Sequence, residues 1–326
     1  MPSIKSLAIL TSGGDAPGMN AAVRAATRAA LAHGWQMHAV HNGYAGLLDG
    51  VIEPLQARDV GGIIQRGGTV LGSARSPEFS TAAGLAKALA NLRQRGIDAL
   101  IVIGGNGSQT GASMLAASGY PVVGIASTVD NDLAGTDVTI GVDTAVNITV
   151  EAIDRLRTTA SSHKRAFLVE TMGRNCGYIA LMAGIAGGAE VISIPEYEIE
   201  PHKVAERMRA AYQRGKTHAM VVVAEGAKHG AKAIMQHVAE HRDTIGFALR
   251  VTTLGHVIRG GAPSAADRVL ATRLGAAAVD QLARGVVNVL VGVRGSEIIT
   301  TPLAEVAGKT KGVDLALLEM ARVLAQ

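Results

Sequence analysis

The run Ala99-Leu100-Ile101-Val102-Ile103 has no polar side chain on either face and stops at Gly104-Gly105-Asn106-Gly107-Ser108. Side chains alternate across a strand, so an apolar residue at every position demands cover on both faces. A parallel sheet sandwiched between helices meets that demand. Similar short apolar runs recur at 7–11, 37–41, 122–125, 165–171, 191–194, 218–224 and 287–293. Between them lie Ala-rich segments of helical period, predicted as helices at 20–33, 80–95, 109–118, 144–160, 201–214, 234–242 and 264–284. The alternation is that of βαβ units, an α/β fold.

The core has to be aliphatic, because aromatic residues make up 3% of the chain. That scarcity also argues against the stacked aromatic platforms of single-strand nucleic-acid binders. With 48% hydrophobic and 18% charged residues, a disordered or coiled-coil chain is excluded, and the 40 glycines follow no collagen period. The net charge of +4 is scattered over single or paired basic residues, so no nucleic-acid partner is expected. The single cysteine, Cys176, forms no internal disulfide. Met1-Pro2-Ser3-Ile4-Lys5 leads straight into an apolar run without a leader pattern, and the uncharged stretch 176–189 is too short to span a membrane. A cytoplasmic protein without a membrane partner is the expectation. Its 326 residues predict two domains, with no repeat or low-complexity linker between them.

Three predicted strand ends carry candidate chemistry. The first leads into Ser12-Gly13-Gly14-Asp15-Ala16-Pro17-Gly18-Met19-Asn20, where Met19-Asn20 replaces the Lys-Ser/Thr of a Walker A loop. It reads either as a tight strand–helix turn or as glycines that admit an anion to free N–H groups. The loop 104–108 reads the same way, and the two would meet only if their strands are neighbours. The third, Ala126-Ser127-Thr128-Val129-Asp130-Asn131-Asp132, places two carboxylates at i and i+2. Asp130 and Asp132 could divide proton transfer and Mg²⁺ binding, or simply form an Asx-turn. Arg75, Lys164, Arg165, Arg174, Arg250, His256 and Arg259 sit in or beside glycine-rich loops, as solvated surface groups or as phosphate ligands.

Taken together, SGGDAPGMN (12–20), RGGTVLGSAR (66–75), GGNGS (104–108), TVDND (128–132), MGR (172–174) and LGHVIRGG (254–261) resemble, in order and spacing, the loops of bacterial ATP-dependent 6-phosphofructokinases. The resemblance implies two Rossmann-like α/β/α domains with mostly parallel sheets and an active site in the cleft between them. Residues 1–141 plus about 258–308 would bind nucleotide, and 142–257 plus about 309–326 would bind sugar phosphate. The implied reaction moves the γ-phosphoryl group of ATP to the 1-hydroxyl of fructose 6-phosphate, a matter of positioning and charge neutralisation. Carried over by position, Gly14, Arg75, Ser76, Gly105, Asn106, Gly107 and Ser108 would hold ATP, with Asn106 and Asp132 at Mg²⁺. Asp130 would be the base, Thr128 would position the hydroxyl, and Arg174 and Gly14 would complete the catalytic set. Thr128, Val129, Asp130, Arg165, Met172, Gly173, Arg174, Glu225, Arg250, His256, Val257, Ile258 and Arg259 would form the sugar-phosphate site. Arg165 and Arg250 would reach in from a neighbouring subunit of a homotetramer. Arg24, Arg28, Arg157, Glu190, Arg214 and Lys216 would take an effector, ADP or phosphoenolpyruvate.

Two positions depart from the pattern. Asn106 stands where these enzymes usually carry a magnesium-binding Asp, and Ala57 replaces an effector arginine. Both motivate an alternative, a non-catalytic or regulatory phosphofructokinase-like subunit. A pyrophosphate-dependent enzyme is a further alternative, but relatives of that kind typically carry Asp in place of Gly107 and Lys in place of Ser127, so ATP is the expected donor.

Overall fold

The computed structural model describes residues 4–163, 165–245 and 247–325. Lys164, one of the cations singled out above, lies outside them, as do residues 1–3. The elements run β1 (Ser6–Thr11), α1 (Met19–Ala32), β2 (Gln36–Val40), α2 (Gly43–Asp49), β3 (Ile52–Pro54), α3 (Ala82–Gln94), β4 (Ala99–Gly104), α4 (Asn106–Ala117), β5 (Val122–Ala126) and α5 (Val142–His163). There follow β6 (Ala166–Thr171), α6 (Tyr178–Ala186), β7 (Val191–Ser193), α7 (Pro201–Gln213), β8 (Ala219–Ala224), α8 (Ala231–Glu240), α9 (Arg242–Ile245) and β9 (Leu249–Thr253). The chain ends with α10 (Ala265–Ala283), β10 (Val289–Arg294), β11 (Glu297–Pro302), α11 (Leu303–Val306) and α12 (Leu315–Leu324).

The chain forms two compact units, Met1–Asp143 with Arg259–Thr310, and Thr144–Ile258 with Lys311–Gln326. The first contains a seven-stranded sheet ordered β11-β10-β5-β4-β1-β2-β3. Its five inner strands are parallel; β3 and β11 close the edges antiparallel. The second contains a four-stranded, fully parallel sheet ordered β7-β8-β6-β9. The α/β architecture with mostly parallel sheets is therefore the one expected.

Complete burial explains the central strands: all six residues of β1, of β4 and of β8 are buried. On one face of the first sheet, Leu10, Leu100 and Val102 pack with Leu47, Leu92 and Leu115 from the helices. In the second unit, Val169, Val222 and Met220 pack with Ala180, Leu181 and Ile153.

Several elements escaped the periodicity. α6 is nearly all apolar and largely buried, so it shows no amphipathic stripe. β9 and β11 are edge strands with no buried position, and their sequences LRVTT and EIITTP contain no long apolar run. β3 and α2 are too short for a periodic signal. No helix among the described residues is long and apolar enough to cross a membrane.

Candidate active site

β1, β4 and β5 are parallel neighbours, with Leu10 beside Val102 and Ile103 beside Ile125. The loops that follow them therefore meet at one end of the sheet. Winding reverses between β1 and β4, the position at which open α/β sheets bind nucleotides. A pocket of about 460 Å³ opens there, within the range of small-molecule sites. Gly14, Arg75, Ser76, Gly105, Asn106, Gly107 and Ser108 all line it, together with Thr128, Asp130, Asp132 and Arg259.

Each wall has a local cause. The segment 66–75 is tied to the first strand and helix: the Asn20 amide donates to Arg66 O (3.0 Å) and accepts from Val70 N (2.7 Å). Thr11 Oγ1 donates to Gly72 O (2.8 Å), and Ser73 Oγ to Gly13 O (2.6 Å). These bonds deliver Arg75 to the pocket rim. The first turn of α4 forms the second wall, where unsatisfied N–H groups and the helix dipole favour an anion. A Cβ on Gly107 would meet nothing within 4 Å, so the space beside that turn is open.

The third wall is the loop 127–132. Thr128 Oγ1 accepts from Asp130 N (3.3 Å), and Thr139 Oγ1 donates to Thr128 O (2.6 Å). Asn131, in a left-handed conformation at φ 52°, is buried and bonds Asp137 O and Thr139 N through its side chain. It turns the chain so that Asp130 and Asp132 both line the pocket. The Asx side chain and the paired carboxylates thus coexist in one loop.

Sequence reasoning missed Tyr44 and Phe79, which also line the pocket and stack with ring centroids 4.0 Å apart. Tyr44 Oη donates to Ser108 O (2.6 Å), and burial pushes its phenol far above the ordinary value, keeping it a donor. The available signal was scarcity: two of only eight Phe and Tyr residues (3 + 5) stand at one pocket.

Asn106 Nδ2 donates to Asp132 O (3.4 Å), while its Oδ1 is buried with no hydrogen-bond partner. No group of three or more His, Cys, Asp or Glu side chains among the described residues is placed to hold a metal. The Asn106 amide oxygen and the Asp132 carboxylate, both lining the pocket, are oxygen donors of the kind that suits Mg²⁺.

In the second unit, the loop after β6 and the turn after β8 are stitched together. Glu225 N donates to Thr171 O (2.9 Å) and Gly226 N to Gly173 O (3.1 Å). This brings Met172, Gly173 and Arg174 beside Glu225. Arg174 and Glu225 are exposed and Met172 is buried. Arg165 immediately precedes β6, and Arg250 lies exposed on the neighbouring strand β9, opposite Phe167. His256, Val257, Ile258 and Arg259 form a single 3₁₀ turn. Ile258 and, in the first unit, Val129 are fully buried, which leaves only their main chains for a ligand.

The anion-binding candidates divide between the units. Arg24 and Arg28 share a face of α1. Glu190, Arg214 and Lys216 come together: Lys216 Nζ bonds Glu190 (3.0 Å), and Arg214 and Lys216 both donate to Ala325 O (3.3 Å). Glu190 and Arg214 line a cavity of about 250 Å³ with Arg207 and Arg322. Arg157 lies beside Gly188 on the same unit. Ala57 is exposed.

The family description phosphofructokinase matches residues 6–282. The chain is 52% identical to the ATP-dependent 6-phosphofructokinase 1 of Thermus thermophilus over 99% of its own length and 100% of that protein. It is 46% identical to the ATP-dependent 6-phosphofructokinase of Bacillus subtilis, with the same coverage. The crystal structure of Pichia pastoris phosphofructokinase in the T-state superposes with a TM-score of 0.89 at 38% identity, over 94% of this chain and 36% of that longer one. By sequence along its whole length and by fold, the chain belongs to the phosphofructokinase family.

Proposed function

We propose that the chain is an ATP-dependent 6-phosphofructokinase, a glycolytic kinase that converts fructose 6-phosphate to fructose 1,6-bisphosphate. The observation that carries this reading is the convergence of the phosphate loop 105–108 and Asp130 on one pocket. The first turn of α4 and Arg75 hold the donor's phosphates, and Tyr44 and Phe79 supply an apolar wall for its base. Asp130 accepts the proton of the sugar hydroxyl as that oxygen attacks phosphorus, and Thr128 orients the hydroxyl. Arg174 offsets charge on the transferring group, and Gly14, lacking a side chain, admits the Arg259 guanidinium beside the phosphate loop. Arg165, Met172, Gly173, Glu225, Arg250, His256 and Arg259 bind the sugar phosphate, Val129 and Ile258 frame it through their main chains, and Val257 presents its exposed side chain.

Asn106 and Asp132 would hold Mg²⁺, which when bound neutralises phosphate charge. ATP is favoured over pyrophosphate as donor, because both bacterial relatives are named ATP-dependent and the space at Gly107 is open. The enzyme works in the cytoplasm as a homotetramer in which Arg165 and Arg250 serve a neighbouring copy. Glu190, Arg214, Lys216 and Arg157, with Arg24 and Arg28, take ADP or phosphoenolpyruvate as effector.

A coupled assay with fructose 6-phosphate, Mg²⁺ and either ATP or pyrophosphate tests the reading. Turnover with ATP is expected; sugar-phosphate binding without turnover on any donor would establish the non-catalytic alternative. Asp130→Ser should lower kcat by about 10²–10⁴-fold while sugar binding persists, and a near-normal kcat would remove Asp130 from the role of base.

A further inference from the structure

Gln109 is fully buried in the first unit. Its Nε2 donates to three main-chain carbonyls, Val102 O (3.3 Å), Gly104 O (3.0 Å) and Ile125 O (3.2 Å). Those carbonyls belong to the carboxyl ends of β4 and β5, which lead into the phosphate loop and into the loop carrying Asp130. Its Oε1 is buried without a hydrogen-bond partner and fills the slot left by Gly124, where a Cβ would stand 2.1 Å away. A methionine of similar reach would fill that slot without an unpaired oxygen. Burial alone therefore does not call for an amide; the three carbonyls do.

The two loops meet closely where the amide ties their strands. Ser127 N donates to the same Gly104 carbonyl (3.2 Å), and a Cβ on Gly105 would lie 3.2 Å from Thr128 Cβ. Gln109 is also the fourth residue of α4, whose first turn forms the phosphate wall. One side chain thus fixes both the start of α4 and the spacing between the strands that carry donor and base.

We infer that Gln109 is a positioning residue for phosphoryl transfer, holding the loop 105–108 in register with Thr128 and Asp130. It acts through main-chain carbonyls and touches neither substrate. Its loss should lower kcat and weaken nucleotide binding while leaving the KM for fructose 6-phosphate unchanged.

The test uses Gln109→Met and Gln109→Glu in the full chain, with steady-state kinetics and calorimetric binding of a non-hydrolysable ATP analogue. Q109M should lower kcat by about 10²-fold, the scale of a small misplacement, and weaken the analogue, with the sugar KM within about twofold of wild type. In Q109E, carbonyls crowding the new carboxyl raise its pKa; the protonated form donates, so activity recovers at low pH and is lost as pH rises through that value. Wild type and Q109M lack that step. Normal kcat and analogue affinity in Q109M would overturn the inference, as would a loss that only tracks the folded fraction. Should Q109M fail to fold, a Q109E profile parallel to wild type would overturn it. The inference rests on the nucleotide assignment of the loop 105–108; absent wild-type turnover would defeat that assignment, whereas the variants in an active background test Gln109.

Discussion

The guanidinium of Arg259 lies across Gly14: its Nη1 donates to Asp15 O at 2.9 Å, and a Cβ on Gly14 would stand 2.6 Å from that nitrogen. Arg259, proposed at the sugar phosphate, and Gly14, proposed at ATP, both line the pocket at the end of β1. Gly14→Ala must displace the guanidinium. We expect kcat to fall by about tenfold or more, through misplaced phosphate ligands, with a melting temperature close to wild type. Kinetics and thermal unfolding on the same preparation check both halves.

Asn106→Asp restores a carboxylate beside Asp132. The amide supplies one neutral oxygen, whereas a carboxylate supplies charge and two. The Mg²⁺ concentration giving half-maximal rate should fall; an unchanged titration would show that Asn106 does not contact the ion.

Gly107→Asp fills the open space beside the first turn of α4 with negative charge. Repulsion against a nucleotide's phosphates should raise the KM for ATP by roughly tenfold or more, equivalent to about 1.4 kcal/mol. The KM for fructose 6-phosphate should stay constant.

Thr81 caps α3, accepting from Gly84 N at 3.0 Å, and does not line the pocket. Thr81→Ala should cost about 1 kcal/mol in stability, read by denaturant unfolding, with kcat and both KM values unchanged. A kinetic effect would mean that α3 couples to the site.

The apolar runs at β1, β4, β5 and β8 announced buried parallel strands because a strand covered on both faces has no polar position to hide. The elements missed were those whose sequences carry no such demand, as in α6, apolar all round, and in the edge strands β9 and β11. The motif loops were legible as units, since glycines and carboxylates at strand ends mark where a chain exposes its backbone.

Sequence alone therefore determined the α/β class and the family resemblance, and singled out Asp130, Asp132 and Asn106 as candidates. Only the tertiary structure decided that β1, β4 and β5 are neighbours, and with that which loops share a pocket. Strand order depends on how distant segments pack, and local sequence does not encode it. The roles of Gln109, Tyr44 and Asn131 came from the same source: each is a polar side chain buried at a junction, and its meaning lies in carbonyls and amides that are distant in the chain or that only a particular turn brings within reach.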